Sequence, residues 1–214
     1  KLAGALLLGA MVASGPVLSE PLKIGFVATL SGPGAAVGVD MVDGFKLGLK
    51  NATRAANVEL PEVIYEDDQL KPDVGRQVVG KLLERDRVDL VTGMPWSNVL
   101  LATAKPILES GAILIGANAG PSQLAGKQCH PNYFSLAFQN DTPHEAMGRY
   151  AQMKETKRVY LMAPNYPAGK DALAGFKRFY KGTPIAEVYV ALDQLDFSAE
   201  LAQLRAAKPD AVYY

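Results

Sequence analysis

His144-Glu145 begins the H-E-x-x-H signature of a zinc site, and Gly148 stands where its second histidine belongs. The other histidine, His130, has no partner at metal-ligand spacing. Gly120 to Lys127 approaches a phosphate-binding loop. It has one residue too many before Gly126-Lys127, and Gln128 replaces the hydroxyl residue such a loop needs. No G-x-S-x-G elbow occurs. Asp67-Asp68 has the composition of an acid/base pair, but adjacent acids in a loop read more simply as a solvated edge. Gly32, Gly34 and Gly38 give G-x-G-x-x-x-G, one residue longer than the dinucleotide fingerprint, and the acids at Glu66-Asp67-Asp68 come late for a ribose. What remains is binding chemistry. Three small polar turns, Ser31 to Gly34, Trp96-Ser97-Asn98 and Asn118-Ala119-Gly120, each fall between an apolar run and a helical pattern. Free N–H groups at a helix start suit a carboxylate or phosphate there.

The elements that position these turns repeat one plan. Ile24, Phe26 and Val27 read as a strand buried on both faces; Ser31-Gly32-Pro33-Gly34 turns the chain; Val37, Met41, Phe45 and Leu49, with Val42, predict one apolar helix stripe. A second strand spans Pro61 to Tyr65, and Pro72 opens a helix with Val74, Val78, Val79, Leu82 and Leu83 inward. A third strand, Arg87 to Gly93, precedes Trp96 and a helix through Leu100, Leu101, Ala104 and Leu108; a fourth, Gly111 to Ile115, precedes Asn118. Such alternation predicts a parallel sheet with helices on both faces and ligands at the strands' carboxyl ends.

Tyr133 to Leu136 is a further extended piece, and Ala137 to Asp141 is the expected crossover to a second α/β series. Thr142-Pro143-His144-Glu145 has the form of a capping box with proline at the helix start, which leaves His144 exposed in the first turn. Lys157 to Met162 is a strand, Asn165 to Gly169 its turn, and Ala172, Leu173, Phe176 and Phe179 the inner face of a helix. Ile185 to Val190 and Pro209 to Tyr214 are strands, with a helix from Asp196-Phe197-Ser198 between them whose Leu201 and Leu204 face inward. A three-stranded α/β lobe reads as incomplete at its carboxyl end.

With 22 basic and 22 acidic side chains the formal net charge is zero, which argues against a nucleic-acid binder and gives no basic face for a membrane surface. Leu2 to Val12 is nearly unbroken Leu, Ala, Gly, Met and Val, too short for a span, and is followed by small residues through Ser19. This is the pattern of a secretory leader cut near Glu20, with a buried amino-terminal helix as the alternative. Cys129 is the only cysteine; it is either free or paired with a cysteine outside this sequence, and a lone buried thiol is the simpler reading.

The ordered set Lys23-Ile24-Gly25, Leu30-Ser31-Gly32-Pro33, Asp67-Asp68, Asn165-Tyr166 with Gly169, Asp196-Phe197-Ser198 and Lys208-Pro209-Asp210-Ala211-Val212 resembles the periplasmic substrate-binding proteins of branched-chain amino-acid type ABC transporters. The resemblance runs from about Pro21 to Tyr214. It implies a type I periplasmic binding protein: two doubly wound parallel-sheet lobes joined by a hinge, with lobes at 20–138 and 139–214 after a leader at 1–19, the second lobe truncated. It further implies a monomer in the periplasm that needs no cofactor or metal, traps a small carboxylate and passes it to an inner-membrane ABC permease.

Carried over by position, the family's ligand contacts fall on Ser97, on Asn118, Ala119 and Gly120, and around Ala168, with Ser31, Trp96, Asn98 and Tyr166 beside them. The chain departs from the family's amino-acid binders in several places. No aromatic residue stands in Gly34-Ala35-Ala36-Val37, Trp96 replaces a small hydroxylic residue, Ala119-Gly120 replaces an Ala-Thr pair, and Ala168 replaces an aromatic residue. These changes open the site to an aromatic acid, with Trp96 as stacking wall. Simpler roles stand beside these: Trp96 in a core, Ser97 as a helix cap, Asn118 as turn geometry, Tyr166 packed on Phe176. A ligand-sensing domain of the same fold, or a nucleotide-dependent enzyme, is the other class of function.

Overall fold

A computed structural model describes residues 21–214, so the expected leader and its cut near Glu20 lie outside the described residues. β1 (Lys23–Ala28), α1 (Ala35–Ala56), β2 (Glu62–Asp67), α2 (Pro72–Lys81), β3 (Leu90–Gly93), α3 (Ser97–Glu109), β4 (Ile113–Gly116) and β5 (Tyr133–Ser135) form the first series. α4 (Thr142–Met153), β6 (Val159–Pro164), α5 (Pro167–Phe179), β7 (Ala186–Val190), α6 (Ser198–Ala207) and β8 (Ala211–Tyr213) form the second. One sheet has the order β2-β1-β3-β4-β5 and the other β7-β6-β8. Every pairing is parallel, from Ile24 opposite Leu90 in the first sheet to Tyr160 opposite Val212 in the second. Residues 136–141 join the two.

The apolar runs of β1 and β3 are buried because helices cover both faces of their sheet. Val27, Val79, Leu82, Val91, Leu100, Ile107 and Leu114 pack under α2 and α3, while Phe26, Ala28 and Val42 pack with Phe45 and Tyr65 under α1. Each Val, Leu, Ile or Phe among these contributes about 1.5–3 kcal/mol by leaving water. In the second sheet Val159, Leu161, Leu173 and Phe176 form the core, and Tyr213 stacks on Phe176 with ring centroids 4.5 Å apart.

Several expectations fail for identifiable reasons. The inward stripe of α1 is Gly38, Met41, Val42, Phe45 and Leu49, with Val37 exposed. Gly38 sets this rotation: a Cβ there would lie 1.9 Å from the Thr29 carbonyl oxygen, so the helix rests on its glycine. Phe179 is exposed and Tyr180 is buried in its place, its hydroxyl donating to the Thr156 carbonyl at 2.7 Å. Leu201 is exposed, and α6 buries no residue. Cys129 is exposed rather than buried.

The capping box does not form. Asp141 is the N-cap residue of α4 with no side-chain capping bond; its carboxylate and that of Glu145 both take Arg178 of α5. His144 is half-buried against Tyr213 of β8, with its Nδ1 on the Tyr213 hydroxyl, rather than exposed. Burial lowers its pKa, and the nearby Asp141 charge opposes that shift.

Candidate functional site

The carboxyl ends of β1 and β2 are fastened by the two acids expected to be solvated. Asp68 is fully buried, accepting from Thr29 Oγ1 at 2.5 Å and the Leu70 N–H at 2.8 Å; its other oxygen has no partner. Burial raises its pKa despite these bonds. Asp67 accepts from the Leu30 and Gln69 N–H groups and from the Ser31 hydroxyl at 2.6 Å. Burial works against its charge, but the bonds from Ser31, Leu30 and Gln69 together hold its carboxyl below the usual range. Ser31 is thus committed to Asp67.

After β3 the chain turns through Gly93 and Met94, both at positive φ, and the Met94 N–H bonds the Val27 carbonyl at 2.6 Å. Extended Trp96 then precedes α3, so Ser97 is the helix's first residue and not its cap. Ser97 is 2% exposed; its Oγ accepts from Asn140 Nδ2 at 3.1 Å. Asn98 reaches the Leu70 carbonyl at 3.4 Å. Trp96 is half-buried, outside the apolar core clusters, with its ring against Gly34. Trp96 Nε1 and Asn98 Oδ1 are both buried without a hydrogen-bond partner. Unmet polar atoms of this kind cost about 1–3 kcal/mol each, a cost typical of sites that complete their bonding with another molecule.

After β4, Asn118 donates to the Pro95 carbonyl at 2.9 Å, bracing the Trp96 turn from the side. Ala119 is buried. The Gly120 N–H is taken by Asn140 Oδ1 at 3.2 Å. In the second series Tyr166 precedes α5, and Ala168 sits half-buried in its first turn. Tyr166 lies beside Trp96, ring centroids 6.3 Å apart and tilted by 58°. Burial raises the pKa of its hydroxyl, with Tyr214 adding to the shift.

Trp96 opens onto a cleft of about 380 Å³. Gly34, Leu70 and Lys71 line it from the β1 and β2 ends, and Leu192 and Asp193 from the loop after β7. The structure therefore brings Trp96, Ser97, Asn98 and Tyr166 together, with Asn118 and Gly120 one layer behind and Ser31 engaged elsewhere. Sequence reasoning missed Leu70, Lys71, Leu192 and Asp193, which reach the cleft through backbone turns. Leu70, for one, has φ 61°, which its type does not announce. A groove of about 390 Å³ between Leu101, Leu108 and Leu124 lies on the outer side of α3, away from the strand ends. Among the described residues no group of three His, Cys, Asp or Glu side chains could hold a metal ion, and no helix is long and apolar enough to cross a membrane.

A family profile described as "Periplasmic binding protein" matches residues 21–214. The Leu/Ile/Val-binding protein BraC3 of Rhizobium johnstonii is 25% identical over 211 residues, 96% of this chain and 57% of its own. A solute binding protein of an ABC transporter from Rhodopseudomonas palustris BisB5, solved in complex with 3,4-dihydroxy benzoic acid, superposes with a TM-score of 0.81 at 27% identity over 89% of this chain and 53% of that one. The branched-chain amino acid transporter substrate binding protein LivJ of Streptococcus pneumoniae, solved with isoleucine, gives a TM-score of 0.78 at 25% identity, covering 90% and 56%. The chain thus spans just over half the length of the relatives it matches. The two solved relatives are binding proteins of transporters.

Proposed function

The chain belongs to the periplasmic binding protein family, of the Leu/Ile/Val-binding type, and from that membership we propose that it is the ligand-capturing part of an exported solute receptor. It takes a small carboxylate, in the first place an aromatic acid, between its two lobes, residues 20–138 and 139–214, and hands it to an ABC permease in the inner membrane. The observation that carries this is Trp96, which lines a cleft of about 380 Å³ and lies beside Tyr166 with ring centroids 6.3 Å apart. Two aromatic residues from different lobes supply flat walls for a ring, and edge or offset contacts between rings contribute about 0.5–1.5 kcal/mol beyond area burial.

In this reading the carboxylate sits at the start of α3. The Ser97 hydroxyl and the first N–H groups of the helix favour an anion without a positive side chain. Asn98, Asn118, Ala119 and Gly120 shape that turn, while Tyr166 and Ala168 close it from the second lobe. Ser31 supports the wall through Asp67.

A second reading, a branched-chain α-amino acid, has its own support: exposed Lys71 and Asp193 put opposite charges on the same cleft from different lobes. Titration calorimetry of the full-length protein with benzoate, 3,4-dihydroxybenzoate, leucine and isoleucine decides between them. Micromolar binding of the aromatic acids alone supports the first reading, and binding of the amino acids alone replaces it with the second. No binding of either set removes the carboxylate assignment.

A further inference from the structure

Asn140 spends its whole side-chain amide on the lobe junction. Its Nδ2 donates both to Ser97 Oγ and to Asp171 Oδ2, each at 3.1 Å, and its Oδ1 accepts the Gly120 N–H at 3.2 Å. Asp171, in α5, is only 7% exposed. It accepts further from Ser122 N at 3.1 Å and Ser122 Oγ at 2.7 Å, and it has no Lys, Arg or His partner among the described residues. The charge is held by donors alone, which orients the Asn140 amide: only its NH2 group can face both a carboxylate and Ser97.

That orientation has a consequence for Ser97. A serine hydroxyl can donate one hydrogen bond and accept two. Here the oxygen accepts from Asn140, and the hydroxyl hydrogen has no acceptor among the described residues. We propose that Asn140, fixed by Asp171, is a positioning residue that leaves the Ser97 hydroxyl hydrogen free to donate, so that the start of α3 favours a strong charged acceptor, a carboxylate, over the weaker acceptors of a neutral amide or alcohol. This rests on the proposed function, since it assumes that Ser97 meets the ligand.

The test is a polarity swap in the full-length protein, with benzoate and benzamide as probes. Asn140→Asp alone sets two carboxylates side by side and is expected to lower Tm. Adding Asp171→Asn restores a single negative charge and the bond between positions 140 and 171, but it leaves the Ser122 N–H without the Asp171 Oδ2 acceptor, so Tm recovers in part. Asp at position 140 then accepts the Ser97 proton, and benzoate binding stays weaker by roughly tenfold or more. Its preference over benzamide falls with it. Recovery of benzoate affinity together with Tm overturns the proposal.

A second comparison holds if the double variant does not fold. Asn140→Ala and Ser122→Ala each remove bonds to Asp171, but only the first frees Ser97. Weaker benzoate binding in Asn140→Ala and not in Ser122→Ala is the expected result. Equal losses would mean that the junction acts only through stiffness and would overturn the assignment. Absence of binding to any of benzoate, 3,4-dihydroxybenzoate and isoleucine by the unaltered protein overturns the proposed function, and the role of Asn140 falls with it.

Discussion

Gly34 and Trp96 share one volume. A Cβ built on Gly34 would stand 3.0 Å from Trp96 Cζ2, 3.1 Å from Nε1 and 2.8 Å from Leu70 Cδ1. The indole's position is therefore set by the missing side chain of a residue on another turn. Gly34→Ala is expected to push the indole toward the cleft, shift its emission in the free protein, and weaken ligand binding several-fold. Fluorescence of the free variant checks the first effect and calorimetry the second. An unchanged spectrum would mean that Leu70 alone yields.

Ser97→Ala tests the anion contact. If the hydroxyl donates to a charged group, its loss costs about 1.5–3 kcal/mol, roughly 10- to 150-fold in Kd. Ser97 caps no helix end, but its Oγ accepts from Asn140 in the buried junction, so Tm should fall only by the worth of one hydrogen bond, about 1 kcal/mol. A Kd within twofold of the unaltered protein removes Ser97 from the site.

Asp67 and Asp68 should respond to pH in opposite directions. Asp67 has a lowered folded pKa, so it contributes stability above its unfolded pKa, lost as pH falls through the lower folded value. Asp68 has a raised folded pKa, so the folded state binds its proton more tightly, and its contribution is lost as pH rises from the unfolded value through the raised one. Carboxyl-carbon NMR should find Asp68 titrating above Asp67. At pH 7, Asp67→Asn should destabilise more than Asp68→Asn, read by urea unfolding. The reverse order of titration would mean that the Thr29 and Leu70 bonds outweigh burial at Asp68.

The strand-turn-helix series was legible because β1, β3, β4 and β6 are short apolar runs closed by Gly, Pro or Asn, and those signals are local. The helix faces were less so. Val37 and Phe179 fit the apolar period yet lie outside, because Gly38 and Tyr180 make contacts that only the folded neighbours define. Asp68 looked like a surface acid, yet it is buried, with the hydroxyl of Thr29, distant in sequence, on its carboxylate. For the candidate site, Trp96, Ser97 and Asn118 were readable as strand-end residues. Asn140 and Asp171 were not, since their role depends on bonds spanning 43 and 49 residues.

Trp96 is the chain's only tryptophan, which makes the cleft observable. Its ring is half-buried and faces Tyr166, so a ring-bearing ligand entering the cleft must displace water from the indole or part the two aromatic side chains. Either event changes emission, and lobe closure around the ligand shifts the population toward the shielded state. In a full-length protein with any further tryptophan replaced by phenylalanine, emission should change saturably with the same Kd as calorimetry, and acrylamide quenching should fall at saturation. Tyr166→Ala should leave the free indole more quenchable and lower affinity for 3,4-dihydroxybenzoate more than for isoleucine, because only the former has a ring to stack. Equal losses for the two ligands would show that Tyr166 acts through closure alone. An emission and quenching profile untouched by a calorimetrically proven ligand would put the binding site away from Trp96.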